Sequence, residues 1–217
     1  MLMNMEIIYL GHSAFKLKGK QKNVVTDPYD EKVGKFPKDI EADIVTVSHN
    51  HFDHNAVTKV KGDPFVINGP GEYEVGGVSV VGVATFHDDQ NGALRGKNTV
   101  YVIEIDGLRI AHLGDLGHKL SDDNLEEMGA IDVVLIPVGG YYTIDAKVAK
   151  EVVGQIDPWV VVPMHYHTEG MGVDEIVGVE EFLKEMGKTG ITAIPKLVIS
   201  ADKLPEEMQV VVLEKKS

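Results

Sequence analysis

The run Ser48-His49-Asn50-His51-Phe52-Asp53-His54 sets three imidazoles and a carboxylate directly behind an apolar stretch, Ile44-Val45-Thr46-Val47. Imidazole nitrogen and carboxylate oxygen are the donors that zinc and related divalent cations accept. In extended backbone His49 and His51 fall on one side, because side chains repeat every second residue. A turn after them swings Asp53 and His54 toward a second position. Four donors from one short loop therefore predict two adjacent cations. The plain alternative is a solvated cluster, which would crowd partly desolvated imidazoles for no structural gain.

Other donors stand at equivalent places. His87 follows the apolar run ending at Phe86, Asp115 follows Ile110-Ala111-His112-Leu113-Gly114, and His165 follows Trp159 to Met164. In layered α/β folds, ligands gather where strands end and loops begin. Taken singly, Asp115 could be a turn cap, and His87 and His165 could be supporting or exposed residues. Their joint placement is the signal. Asp27, before Pro28, is either a second-row acceptor for a ligand N–H or a turn residue.

The elements that must position these groups are short. Glu6–Leu10, Ala14–Leu17, Asn23–Thr26, Ile44–Val47, Phe65–Asn68 and Val78–Ala84 read as strands. Tyr101–Ile105 and Leu108–Leu113 flank Asp106-Gly107, a pair suited to a tight hairpin. Ser121 caps a helix through Met128, Ile131–Val138 is a strand, and Asp145–Gln155 is a helix. Trp159–Pro163 is a strand, Val173–Met186 an amphipathic helix, and Val210–Leu213 a sheet edge. Strands first and mixed elements later give a layered α/β fold with its sheets buried between helices.

Composition narrows the function. A chain of 217 residues is expected to form one domain, 1–217. Its 21 Lys plus Arg against 34 Asp plus Glu give a net charge of −13, which argues against nucleic acid and anionic membranes as partners. Cysteine is absent, so disulfides, thiolate metal sites and a thiol nucleophile are excluded. Met1–Leu10 lacks a basic residue and a sustained apolar run, so no signal peptide or membrane span is expected. A soluble, cytoplasmic protein acting on a small molecule is the expectation.

His49-x-His51-x-Asp53-His54, then His87, Gly114-Asp115 and a late His, in this order, resemble the metallo-β-lactamase superfamily of hydrolases. Gly11-His12-Ser13, Asp27-Pro28, Gly69-Pro70-Gly71-Glu72-Tyr73-Glu74 and Pro163-Met164-His165-Tyr166 resemble more narrowly its branch of ascorbate-6-phosphate lactonase-like proteins. The resemblance implies a four-layer αβ/βα sandwich of two mixed β-sheets flanked by helices. It implies two divalent metal ions, zinc first, with manganese or iron as alternatives. It places His49, His51 and His87 on the first metal, Asp53, His54 and His165 on the second, and Asp115 between them. His167 could replace His165, but the Pro-Met-His-Tyr context favours His165. His12, His112 and His118 receive no ligand role, with a supporting or substrate contact open for His12 and His118.

Two such cations would lower the pKa of a shared water and polarise a carbonyl or phosphoryl oxygen. Asp53, the expected catalytic residue, would orient that water while ligating. The segment Asp88–Asn98 should overhang the site, with Arg95 either holding a substrate anion or lying solvated. Tyr141 and Tyr142 are either pocket walls or packing residues. The expected activity is hydrolysis of a small, anionic ester, lactone or phosphoester. The alternatives are a nucleic-acid phosphodiesterase and a non-catalytic metal-binding module. A two-iron redox role is disfavoured, because that branch carries glutamate where His51 stands.

Overall fold

In the computed structural model, which describes residues 4–173 and 175–217, thirteen strands form two mixed sheets. The first contains β1 (Met5–Gly11), β2 (Ala14–Lys18), β3 (Asn23–Thr26), β4 (Ile44–Thr46), β5 (Phe65–Ile67) and β12 (Leu197–Ile199), ordered β12-β1-β2-β3-β4-β5. The second contains β6 (Gly71–Val75), β7 (Val78–Phe86), β8 (Lys97–Ile105), β9 (Leu108–His112), β10 (Val133–Pro137), β11 (Val160–Met164) and β13 (Gln209–Val210), ordered β13-β11-β10-β9-β8-β7-β6.

Pairing directions decide where the loops emerge. β1, β3 and β4 run the same way, since two antiparallel steps separate β1 from β3 and β3 pairs parallel to β4. By the same logic β7, β9, β10 and β11 share one direction. Every candidate donor lies just past the C-terminal end of one of these strands. The facing sheets bury one continuous core, from Ile7, Phe15 and Leu17 on one side to Val102, Ile110 and Leu135 on the other.

The expected sandwich is present, with an asymmetric cover. Helix α1 (Asp122–Met128) packs beside β7, and α2 (Ala146–Ile156) packs beside β10 with α3 (Val179–Glu185) against it. Thus α1 and α2 lie on the second sheet, and α3 joins it through α2. The outer face of the first is covered by irregular chain, whose Tyr29, Val33, Phe36 and Ile40 pack on Leu10, Val25 and Val45. Two of the three predicted helix starts hold: Ser121 accepts from Asn124 N–H in a capping box, and Asp145 accepts from Val148 N–H.

Several elements differ from expectation, and β12, at Leu197–Ile199, answers to no expected strand. The helix expected over Val173–Met186 forms only at Val179–Glu185, and position 174 lies outside the described residues. Val177 cannot be helical because its N–H donates to Gly139 and its carbonyl accepts from His167, both tertiary bonds. Strand β6 fills the gap between the expected strands Phe65–Asn68 and Val78–Ala84, where Glu72 and Glu74 conceal a period-two pattern in an exposed edge strand. The last strand stops at Val210, and Leu213 makes only an isolated bridge with Ile194.

Candidate metal centre

Three groups of donors converge at one rim. Ligand atoms of His49, His51 and His87 lie within 4.8 Å of one another, as do those of His49, His54 and Asp115, and those of His12, Asp53, His54 and His165. All seven expected ligands are thus brought together. Asp115, fully enclosed, lies between the groups, its Oδ2 3.1 Å from His87 Nε2, 3.2 Å from His54 Nε2, 3.4 Å from His165 Nε2 and 3.8 Å from His49 Nε2. His167 is exposed and stands apart from these groups.

The donors are fixed by their neighbours. Asp27 is buried at the end of β3, where its Oδ1 accepts from Ser48 N–H at 2.8 Å and its Oδ2 from Ser48 Oγ at 2.5 Å. Asp27 Oδ2 also accepts from His54 Nδ1 at 2.8 Å. Because the Ser48 proton points at Asp27, Ser48 Oγ accepts from His49 Nδ1, 2.9 Å away. This network assigns both imidazoles their proton on Nδ1 and turns Nε2 of each inward. Asp27 is therefore the supporting acceptor rather than a turn residue. Asp115 is held by Asn98, whose Oδ1 accepts from Asp115 N–H at 3.0 Å while its Nδ2 donates to Thr85 and Leu113. Gly114 makes this turn possible: a Cβ there would meet Ser48 Cβ at 2.6 Å and Asn98 Oδ1 closer still, at a φ of +55°.

A divalent pair fits what remains. Among the described residues, His49 Nε2, His54 Nε2 and Asp115 Oδ1 are buried at this rim without a hydrogen-bond partner, and His87 and His165 turn their Nε2 atoms to the same place. His54 Nε2 is close to Asp115 but misaligned for a hydrogen bond. Buried polar atoms left in this way are costly, and a shared cation is the partner their nitrogen and oxygen chemistry accepts.

The electrostatics follow from the crowding. Burial, helped by His54, lowers His49 to about 3, and burial together with His165 lowers His12 to about 4. Burial resists a charge on His54 too, but the carboxylates of Asp115 and Asp53 override it and raise this group well above 6.5. Asp53 and Asp115 are pulled far below the usual range: burial opposes their charges, and neighbouring imidazoles, His54 prominent among them, outweigh it. The metal-free centre thus carries a proton on His54 at neutral pH. Metal uptake must displace that proton, so affinity rises with pH until His54 titrates, above 6.5 rather than below it. Calorimetry of zinc binding at pH 7, in buffers of different ionisation heat, is expected to show net proton release. Uptake without any release would contradict this charge state.

His112 and His118 are structural. His112 Nε2 donates to Ser13 O at 2.7 Å and its Nδ1 accepts from Gly114 N–H, tying the sheets together below the site. His118 Nε2 accepts from Phe86 N–H and its Nδ1 donates to Lys119 O.

Over the donors opens a cleft of about 820 Å³, with His51, Asp53, His87 and Asp115 on its floor and Leu94, Arg95, Tyr142 and Val173 among its walls. The overhanging loop is pinned by Asp88, whose carboxylate accepts from the amides of Gln90, Gly92, Leu94 and Arg95. Burial opposes that charge, yet these amides hold the group down at about 2. Tyr142 is a wall, whereas Tyr141 is largely exposed. Sequence reasoning missed Asn98, Ser48 and the anchoring role of Asp88. The run of turn residues after His87 was the available signal for Asp88.

Comparison with known proteins agrees with this site. Residues 6–165 match the model of the beta-lactamase superfamily domain. A UPF0173 metal-dependent hydrolase from Thermoplasma acidophilum is 33% identical over 191 residues, covering 76% of this chain and 84% of that protein. The chain belongs to the UPF0173 metal-dependent hydrolase family. A second UPF0173 member, from Thermococcus onnurineus, is 34% identical over 191 residues, with 75% and 85% of the two chains covered. The crystal structure of a Thermotoga maritima protein, proposed to be a Zn-dependent hydrolase of the metallo-beta-lactamase superfamily, is 41% identical and superposes with a TM-score of 0.79, covering 96% of this chain and 98% of that one. The UPF0173 assignment makes this protein a metal-dependent hydrolase with the metallo-β-lactamase fold. Among the described residues, no helix is long and apolar enough to cross a membrane.

Proposed function

We propose that the protein hydrolyses a small anionic ester, lactone or phosphoester at a dinuclear centre held by His49, His51, His87, Asp53, His54, His165 and Asp115. The observation that carries the substrate class is the position of Arg95 on the wall above the donor floor. Its Nη2 donates to Tyr141 O at 3.0 Å and its guanidinium lies 5.8 Å from the centre of the Tyr142 ring. Among the described residues no carboxylate pairs with it within 4.0 Å. A braced guanidinium with spare N–H groups suits a carboxylate or phosphate. Leu94, Phe52 and Val173 supply apolar surface for the rest of a small substrate.

When bound, a divalent pair supplies Lewis acidity and makes water a usable nucleophile near neutral pH. The chain's own groups do the positioning. Asp53, 18% exposed and on the floor of the cleft, stays ionised, and among the described residues its Oδ1 has no hydrogen-bond partner. It can accept a hydrogen bond from the attacking water and aim it. Arg95 and the loop above fix the substrate against the floor and narrow the path of bulk water. The charge of −13 supports a small molecule over nucleic acid. A phosphorylated lactone, as in the ascorbate-6-phosphate lactonase-like branch, is the first compound to try.

Chelation should abolish turnover and zinc should restore it; turnover surviving complete metal removal overturns the proposal. Arg95→Ala is expected to raise KM for an anionic ester roughly 10- to 100-fold, as for loss of a charge-assisted contact. A neutral ester of the same shape should be unaffected. Equal changes for both esters would remove Arg95 from substrate recognition.

A further inference from the structure

His12 stands outside the seven expected ligands, yet it touches two of them by different atoms. Its Nε2 lies 3.1 Å from Asp53 Oδ2, and its backbone carbonyl accepts from His165 N–H at 2.9 Å. The carbonyl is itself fixed by Tyr9 Oη, which donates to it at 2.9 Å. The rings of His12 and His165 are 4.2 Å apart, and the His12 side chain is almost wholly buried.

The backbone is bent to achieve this. The β1–β2 register shifts between Tyr9 and Gly11, and His12 follows with a φ of +55°. Gly11, at +113°, cannot carry a side chain, since a Cβ would meet Tyr29 Oη at 2.7 Å. His165 is left-handed as well, at +50°. Two bonded non-glycine residues in that region are costly and persist only where surrounding structure enforces them. Here the His12 carbonyl is part of what enforces His165.

We propose that His12 is the positioning residue of the second metal position, orienting Asp53 through its imidazole N–H and His165 through its carbonyl. It is not a further ligand, because the nitrogen facing the centre spends its proton on Asp53. Asp53, His54, His165 and Asp115 already give that position four donors. The proposal rests on the dinuclear reading above and extends it to a residue that reading does not use.

The test uses zinc alone, titrated into metal-stripped full-length protein against a competing chromophoric chelator. His12→Asn retains a residue that tolerates the left-handed backbone but withdraws the reach to Asp53. His12→Gln places an amide N–H near the position of Nε2. The Asn variant should bind the first equivalent normally and the second 10- to 100-fold more weakly, the usual cost of losing an outer hydrogen-bond partner. The Gln variant should recover most of that loss. Two equivalents bound by the Asn variant as tightly as by wild type would overturn the proposal. Equal second-step losses in Asn and Gln would also overturn it, making His12 a ligand. A wild-type chain that takes up only one equivalent would overturn the metal pair itself, and this proposal with it.

Discussion

Asp115→Ala is expected to lower zinc content at both positions and to reduce turnover at least about 100-fold, the upper end of what loss of one outer partner costs. One carboxylate oxygen serves four imidazoles, at 3.1 to 3.8 Å, and among the described residues no other acid approaches both His87 and His165 in this way. Its removal leaves His49 and His87 without the charge that completes one side, and His54 and His165 without the charge that completes the other. His165→Ala should instead empty mainly the position it shares with Asp53 and His54. Elemental analysis of the two purified variants makes the comparison. Equal losses in both would remove Asp115 from its bridging place.

Asp27→Ala is the second large effect, and it should appear in stability as well as in metal binding. The side chain is wholly buried and accepts three hydrogen bonds, two from Ser48 and one from His54. Removing one partner of a buried charged network typically costs about 3–5 kcal/mol, because the others are left unsatisfied. Denaturant unfolding of chelator-treated protein at pH 7 should show a loss of that size. His54 would also lose the bond that keeps its proton on Nδ1, and Ser48, no longer donating to Asp27, would cease to enforce the tautomer of His49, so zinc affinity should fall in parallel. A variant as stable as wild type, with unchanged affinity, would contradict the network.

The donors were legible because they obey chain-local rules. His49 to His54 are near neighbours behind one apolar run, and His87, Asp115 and His165 each follow another. Strand ends in a layered fold share a rim, so one rule placed them all. His12 was not legible in the same way. It too follows a strand, but its use depends on a bulge at Gly11 and on contacts with Asp53 and His165, residues remote in sequence. Asn98 sits at the start of β8, where its work comes from Thr85, Leu113 and the approach of the Gly114 turn, none of them adjacent in sequence. The helix expected from Val173 failed because apolar spacing says nothing of tertiary bonds, and Gly139 and His167 had taken the backbone of Val177. Strand β6 was hidden by two glutamates whose alternation suits an exposed edge.

The loop pinned by Asp88 separates two tasks that enzymes often entangle. Its shape is set by one carboxylate and four main-chain amides, none of them among the donors. Side chains at its tip, such as Ala93 and the exposed Leu94, can therefore be exchanged while the chemistry beneath stays intact. A protein built this way can acquire a new preference by drift in a handful of codons, with the older reaction still running while it does so.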